Sequence, residues 1–408
     1  MTATDETTRD PAFRFEYHPA TIRFGAGCAD ALETELEALD LERALVVCGS
    51  TVGSTPEVID PVREGLGDRL AGVFDETTPD KRLGTAFDGL DRLETEEADV
   101  LVSLGGGSSL DVAKAVSVLA ASDRSRDRIA EEFAQTGTID VPDEGLVPIV
   151  AVPTTLAGAD LSTGAGITAA PDSGLVDEEL GGGISDPGLM PTAAFYDPEL
   201  FATTPDSILA GSAMNGFDKG IETIYAANAT PVTDATARHG LEKFGDGLEA
   251  FGRGDRDVET FETLLEGLIL VQYGISRPDG TTLSVVHAFG HGLRDAYDLQ
   301  QGVAHAVVVP HVLRYLFEQE GVDARAGLLA NALGVGEAAD HGAAVVDRVA
   351  ELRDELGLPA RLRDLESVAD DEFGDVAEAI LADGFMANAP PGLDPTAAEI
   401  EGVLEAAW

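Results

Sequence analysis

Positive charge is what this chain has least of. Its 408 residues carry 26 lysines and arginines against 75 aspartates and glutamates, a formal net charge of -49. Only Lys81, Lys114, Lys219 and Lys243 are lysines. An acidic field of that size repels nucleic acid and anionic membranes, so neither is an expected partner. The acid is spread along the whole sequence, with arginine in place of lysine, which reads as a halophile's surface rather than an acidic tail. Cysteine is nearly absent: Cys28 and Cys48 cannot build a disulfide framework or a zinc cluster. No apolar run approaches the ~20 residues that span a bilayer. The stretch Met1 to Pro11 is polar and acidic, with no signal-like apolar region. A soluble, cytoplasmic protein is expected. With 44% hydrophobic residues over this length, two domains with well-filled cores are within reach.

What is present centres on Leu101-Val102-Ser103-Leu104-Gly105-Gly106-Gly107-Ser108-Ser109-Leu110-Asp111. An apolar strand runs into three glycines and then into good helix formers. Glycines let the backbone approach a bulky anion, and the helix start aims unpaired N–H groups and a positive dipole end at it. A diphosphate is the expected guest, with Ser108 or Ser109 capping the helix. A lone turn of this kind is about as often a plain strand–helix connection.

Here it is not alone. Ala44 to Cys48 and Pro148 to Pro153 are also continuous apolar runs, ending in Gly49-Ser50-Thr51 and Thr154-Thr155-Leu156-Ala157-Gly158. Strands alternating with helices imply a doubly wound, mostly parallel sheet that holds its ligand at the carboxyl ends of the strands. Phe13 to Tyr17 and Thr21 to Phe24 alternate like paired strands about a His18-Pro19 turn, an edge that would suit a homodimer. Near Phe201 the pattern changes, and from Thr203-Thr204-Pro205-Asp206 onward it is helical. The expected division is an α/β dinucleotide-binding domain over residues 1–203 and an all-helical domain over 204–408, with the cleft between them as the site.

Four of the seven histidines crowd into one stretch of the helical half: His287, His291, His305 and His311. His287 and His291 are four apart and share a helix face. Such a pair can ligate a metal, but without further ligands it is more often a hydrogen-bonded core pair. His311 reads as structural, and His239 and His341 as surface residues. A second unusual stretch, Gly211 to Tyr225, contains Asn215 and Lys219.

Together with Phe24-Gly25-Ala26-Gly27 and Phe195-Tyr196-Asp197-Pro198-Glu199-Leu200, these segments resemble the iron-containing (group III) alcohol dehydrogenase superfamily over nearly the whole chain. The resemblance implies NAD(P)-dependent interconversion of an alcohol and a carbonyl compound on a dehydroquinate synthase-like fold. It places the nucleotide on Gly49, Ser50, Gly105, Gly106, Gly107, Ser108, Asp111, Thr154, Thr155, Gly158 and Ser162. Gly49-Ser50 stands where NAD-preferring relatives carry an aspartate, so NADP is tolerated or preferred over NAD. Leu180-Gly181-Gly182-Gly183 lies where relatives often carry a lysine near the nucleotide.

Iron-dependent members bind metal with an aspartate, a histidine four residues on, and two histidines fourteen apart. At those positions this chain has Asn215, Lys219, His287 and Gln301. One ligand of four remains, and an ammonium among them repels a cation. No catalytic metal is therefore expected, as in the maleylacetate reductase branch, which keeps a histidine where His305 stands. On this reading Lys219 stabilises the developing charge on the carbonyl oxygen, or grips a substrate carboxylate, and His287 or His291 supplies the proton. Asn215 and His305 complete the catalytic set. Three rivals remain: a non-catalytic nucleotide-binding relative, a lyase-like enzyme of dehydroquinate synthase type, and an ordinary metal-dependent alcohol dehydrogenase.

Overall fold

The computed structural model describes residues 12–408; the polar stretch Met1 to Pro11 lies outside the described residues. The chain forms two compact units. One comprises residues 18–155 and 159–204, the other residues 12–17, 156–158 and 205–408.

The first unit contains the strands β1 (Thr21–Phe24), β2 (Ala44–Gly49), β3 (Leu70–Thr77), β4 (Val100–Gly105), β5 (Ile149–Pro153), β6 (Gly164–Ala169), β7 (Leu180–Ser185) and β8 (Ala193–Tyr196). Six of them make one sheet in the order β1-β8-β5-β4-β2-β3, parallel throughout. Its helices are α1 (Leu32–Ala38), α2 (Ser50–Ser54), α3 (Pro56–Leu66), α4 (Leu83–Thr95), α5 (Gly107–Ala120), α6 (Arg126–Thr136) and α7 (Pro198–Phe201). The central strands β4 and β5 are buried along their whole length. That is why they read as continuous apolar runs and not as alternations. The path steps outward from β2 to β3, then returns to place β4 on the other side of β2. This reversal puts the ends of β2 and β4, Gly49 and Gly105, at a switch point where open α/β sheets bind ligands.

The second unit is helical: α8 (Asp206–Tyr225), α9 (Pro231–Gly252), α10 (Val258–Gln272), α11 (Val285–Tyr297), α12 (Gln301–Glu318), α13 (Ala326–Ala332), α14 (His341–Glu355), α15 (Phe373–Ala382) and α16 (Ala397–Ala407). The fold is a Rossmann-like parallel sheet followed by an all-helical domain. No helix among the described residues is long and apolar enough to cross a membrane.

Two local expectations need revision. Residues 13–17 form no strand, and β1 pairs in parallel with β8 instead. The aromatic alternation there serves packing within the helical unit: Tyr17 sets its edge on Tyr273 at 4.9 Å, and Arg277 lies over Phe15. The glycine-rich Leu180 to Gly183 segment is part of β7, antiparallel to β6. A Cβ on Gly182 would lie 2.1 Å from the Gly137 carbonyl oxygen, so close backbone approach accounts for glycine at that position.

Candidate active site

In the first unit the small-residue turns sit side by side at the carboxyl edge. Gly105 turns at φ +128°, a conformation that favours glycine, and Gly106 precedes α5. A Cβ on Gly106 would stand 3.1 Å from the Thr155 methyl, so the β4 and β5 turns touch. No side chain caps α5. The capping role expected of Ser108 or Ser109 is absent, because buried Ser109 instead bonds Thr77 across to β3 at 3.1 Å. The helix start therefore keeps its N–H groups for an anion, with half-buried Ser108 beside them. Thr154 donates its N–H to the Gly105 carbonyl and accepts from Thr204. Gly49 ends β2 and is followed at once by Ser50 in α2.

Other nucleotide candidates are occupied with architecture. Asp111 pairs with Lys81 at 2.5 Å and accepts the Gly166 N–H at 3.2 Å, tying α5 to β6. Fully buried Lys114 donates to the Ser162 carbonyl (2.7 Å), the Ser162 hydroxyl (3.0 Å) and the Gly164 carbonyl (2.8 Å). Gly158, at φ +68°, belongs to the helical unit, where its carbonyl accepts from Lys219.

In the helical unit, α8, α11 and α12 converge. Glycine makes this possible: a Cβ on Gly302 would come within 1.9 Å of the Gly211 carbonyl oxygen, and one on Gly290 within 2.3 Å of His305 Nε2. The convergence brings Asp218, His287 and His305 together, one ligand atom from each lying within 4.8 Å of the others. Asp218 Oδ2 stands 3.4 Å from Nδ1 of both histidines. Asp218 and His305 have no solvent exposure and His287 only 3%. Neither oxygen of Asp218 and neither ring nitrogen of His305 has a hydrogen-bond partner, and Asn215 Oδ1 is in the same position.

Orphaned polar atoms in a buried site cost about 1–3 kcal/mol each, so a native site that keeps the four of Asp218 and His305 together implies a ligand. One carboxylate and two imidazoles fit a divalent transition metal. Burial pushes Asp218 well above the ordinary carboxylate range, with Glu222 adding to the effect and Lys219 opposing it. Burial likewise pushes both histidines well below their ordinary value.

This cluster overturns the expectation of no catalytic metal. The ammonium of Lys219 donates to the Gly158 carbonyl, and its charge also acts on Asp218, His287 and His305. The family spacing fails here because two ligands are displaced by one helical turn along the same face. Asp218 follows Asn215 by three residues, and His305 follows Gln301 by four. Counting fixed positions finds Asn215, Lys219 and Gln301; counting helix faces would have found Asp218 and His305.

Two more carboxylates escaped the sequence reading. Glu222 bonds His287, with Oε2 at 2.5 Å from Nδ1 and Oε1 accepting the His287 backbone N–H at 3.0 Å. Burial raises Glu222 to about 7 against the lowering effect of that N–H. Asp383 bonds His291 Nδ1 at 2.8 Å, and the pair remains partly open to solvent. Burial would raise Asp383, but the His291 bond, the Phe385 N–H and the charges of His291 and His287 together outweigh it and hold the carboxyl below its ordinary value. The Phe385 ring packs 5.1 Å from His291 and 6.0 Å from His287.

A dinucleotide-type sheet with an open phosphate turn, joined in one chain to a buried histidine–carboxylate centre, defines a nicotinamide-dependent oxidoreductase. Residues 19–198 match the family described as iron-containing alcohol dehydrogenase, and residues 209–408 its C-terminal domain. The chain belongs to the iron-containing alcohol dehydrogenase family and is an NAD(P)-dependent dehydrogenase/reductase. It is 30% identical to 4-hydroxybutyrate dehydrogenase of Cupriavidus necator over 403 residues, covering 96% of this chain and 99% of that one. It is 28% identical to lactaldehyde reductase of Escherichia coli K12 over 396 residues, covering 94% and 96%. The maleylacetate reductase structure from Agrobacterium tumefaciens superposes with a TM-score of 0.77 at 25% identity, covering 97% and 98%. Similarity is thus shared among branches of different activity. With the metal-binding cluster, that corrects the assignment to the metal-independent maleylacetate reductase branch.

Proposed function

We propose that the protein transfers hydride between NAD(P) and a small alcohol or carbonyl compound at a divalent metal held by Asp218, His287 and His305. The observation that supports this is the buried cluster in which the oxygens of Asp218 and the ring nitrogens of His305 have no hydrogen-bond partner among the described residues. When bound, the cation acts as a Lewis acid on the substrate oxygen. The chain's own residues do the rest. Gly105, Gly106, Gly107 and Ser108 bind the diphosphate, with Gly49, Ser50, Thr154 and Thr155 bordering the rest of the nucleotide. Asn215, one turn before Asp218, offers a further oxygen on the same face of α8. His291 exchanges the alcohol proton: its Nδ1 is held by Asp383, and its partial exposure gives the proton a route to water. Lys219 anchors the 156–158 segment to α8 and balances part of the negative charge. The lack of a carboxylate at Gly49-Ser50 supports acceptance of NADP as well as NAD. The activities named for the relatives support short hydroxy acids and hydroxyaldehydes as substrates, and a homodimer in the cytoplasm remains the working assembly.

The test is turnover of 4-hydroxybutyrate and lactaldehyde with each nucleotide after exhaustive chelation and after readdition of Fe(II) or Zn(II). Activity that vanishes on chelation and returns with metal is expected. Full activity in the metal-free protein would overturn the proposal.

A further inference from the structure

Positive charge is scarce along the carboxyl edge of the parallel sheet. Among the described residues, the segments that join the carboxyl ends of its strands to the next element contain only Lys81 and Arg82 as basic residues, both just after β3. Arg82 turns to Asp80 at 3.1 Å. Lys81 has an unusual backbone, with φ at +54°, a conformation unfavourable for a long side chain. Two bonds hold it there: its own N–H donates to the Thr78 carbonyl, and its carbonyl accepts the Thr168 N–H of β6, each at 3.1 Å. Glycine would take this turn without strain, so what the position keeps is the lysine side chain.

That side chain reaches α5. Lys81 Nζ lies 2.5 Å from Asp111 Oδ2, which also accepts the Gly166 N–H at 3.2 Å. Asp111 is buried, and it follows Gly107 by four residues and Ser108 by three, on the same face of α5. Side chains on a helix lean toward its N-terminus, so the Asp111 carboxylate lies over the turn that Gly107 and Ser108 form. That is the turn whose N–H groups are kept for an anion. A carboxylate there serves the joint between α5 and β6, but its charge repels an anionic guest. Lys81, with 31% of its side chain exposed, is the cation in contact with it.

We propose that Lys81 sets the charge of the nucleotide site: its ammonium cancels Asp111 beside the phosphate turn, and without it the turn binds a diphosphate only weakly. Asp111 is then architectural, and Lys81 is what lets an anion settle near it. The inference rests on reading Gly105 to Ser108 as the diphosphate site. It adds to that site a residue from outside the turn, in the loop after β3.

The experiment is fluorescence titration with NADH, using ADP and adenosine as competitors, on wild type, Lys81→Met, Asp111→Asn and the double variant. ADP carries the diphosphate and adenosine does not. Lys81→Met should weaken NADH and ADP by about tenfold and leave adenosine unchanged. Asp111→Asn keeps an acceptor for the Gly166 N–H and removes the charge, so it should bind ADP at least as tightly as wild type. The double variant has lost the ion pair but carries no uncompensated carboxylate, and its ADP affinity should return close to that of wild type. A purely structural tie gives another order, with the double variant as weak as Lys81→Met. That order, or unchanged ADP affinity in Lys81→Met, would overturn the proposal, while NADH binding by wild type would leave the nucleotide reading in place. Weaker ADP binding in Asp111→Asn would overturn it too, and does not require Lys81→Met to fold. A wild type that binds neither NADH nor ADP would remove the nucleotide reading and the proposal together.

Discussion

The two units treat buried charge in opposite ways. In the first unit Lys114, Asp111 and Asp197 all have partners: Lys114 donates to three oxygens from the segment leading into β6, Asp111 pairs with Lys81, and Asp197 accepts the N–H groups of Gly27, Ala29 and Glu199. Around α8 the equally buried Asp218 and His305 have none. The first arrangement stabilises an architecture. The second gives up stability and keeps a place for something that is not protein. Burial alone therefore does not separate structural from functional residues here, but hydrogen-bond satisfaction does.

Four substitutions would break or sharpen this contrast. The largest effect belongs to Asp218→Asn, which keeps the shape and removes the charge. Metal-dependent kcat/KM should fall on the order of a thousandfold, while the melting temperature of the metal-free protein holds or rises. A marked loss of stability would instead place Asp218 among the architectural charges. Lys114→Met should do the reverse, costing about 3 kcal/mol of unfolding free energy because it strands buried acceptors, with metal affinity in the folded protein unchanged. Denaturant titration and metal titration of the two variants, run together, give the comparison directly.

A smaller effect is expected at the nucleotide edge. Gly49→Asp restores a carboxylate near the 2′ position and should weaken NADPH relative to NADH by about tenfold, roughly 1.4 kcal/mol. The Thr77 carbonyl oxygen, 3.2 Å from the added Cβ, has to yield slightly. An unchanged nucleotide ratio would move the ribose away from that turn. The smallest effect concerns His311, whose value burial lowers from 6.5 to about 4, with Arg314 and Arg353 adding to the shift. Its folded value lies below its unfolded one, so the neutral form contributes stability that is complete above 6.5 and lost as pH falls through about 4. His311→Gln should flatten the stability profile across that window relative to wild type.

How much of this could be read from sequence depended on whether the signal was local. The strands β2, β4 and β5 and the turns after them were legible because full burial and phosphate approach each impose a pattern on consecutive residues. The β6–β7 hairpin was not, since Gly181, Gly182 and Gly183 carry no alternation, and the reason for Gly182 and Gly183 is a neighbouring backbone. In the active site, His287, His291 and His305 stood out by residue type. Asp218 did not, because fixed spacing drew attention to Asn215 and Lys219, one turn before it and one residue after. Glu222 and Asp383 look like ordinary acids in a chain full of them. Asp383 meets His291 from 92 positions away, and only the fold joins them.

The central claim is that Asp218, His287 and His305 hold a metal. Its most direct test is elemental analysis of protein purified without chelators, with Asp218→Asn and His305→Ala prepared in parallel. The account expects close to one equivalent of iron or zinc per wild-type chain, and a large loss in both variants. Metal-free wild type with full NAD(P)-dependent activity, or variants that keep the full metal complement, would contradict it.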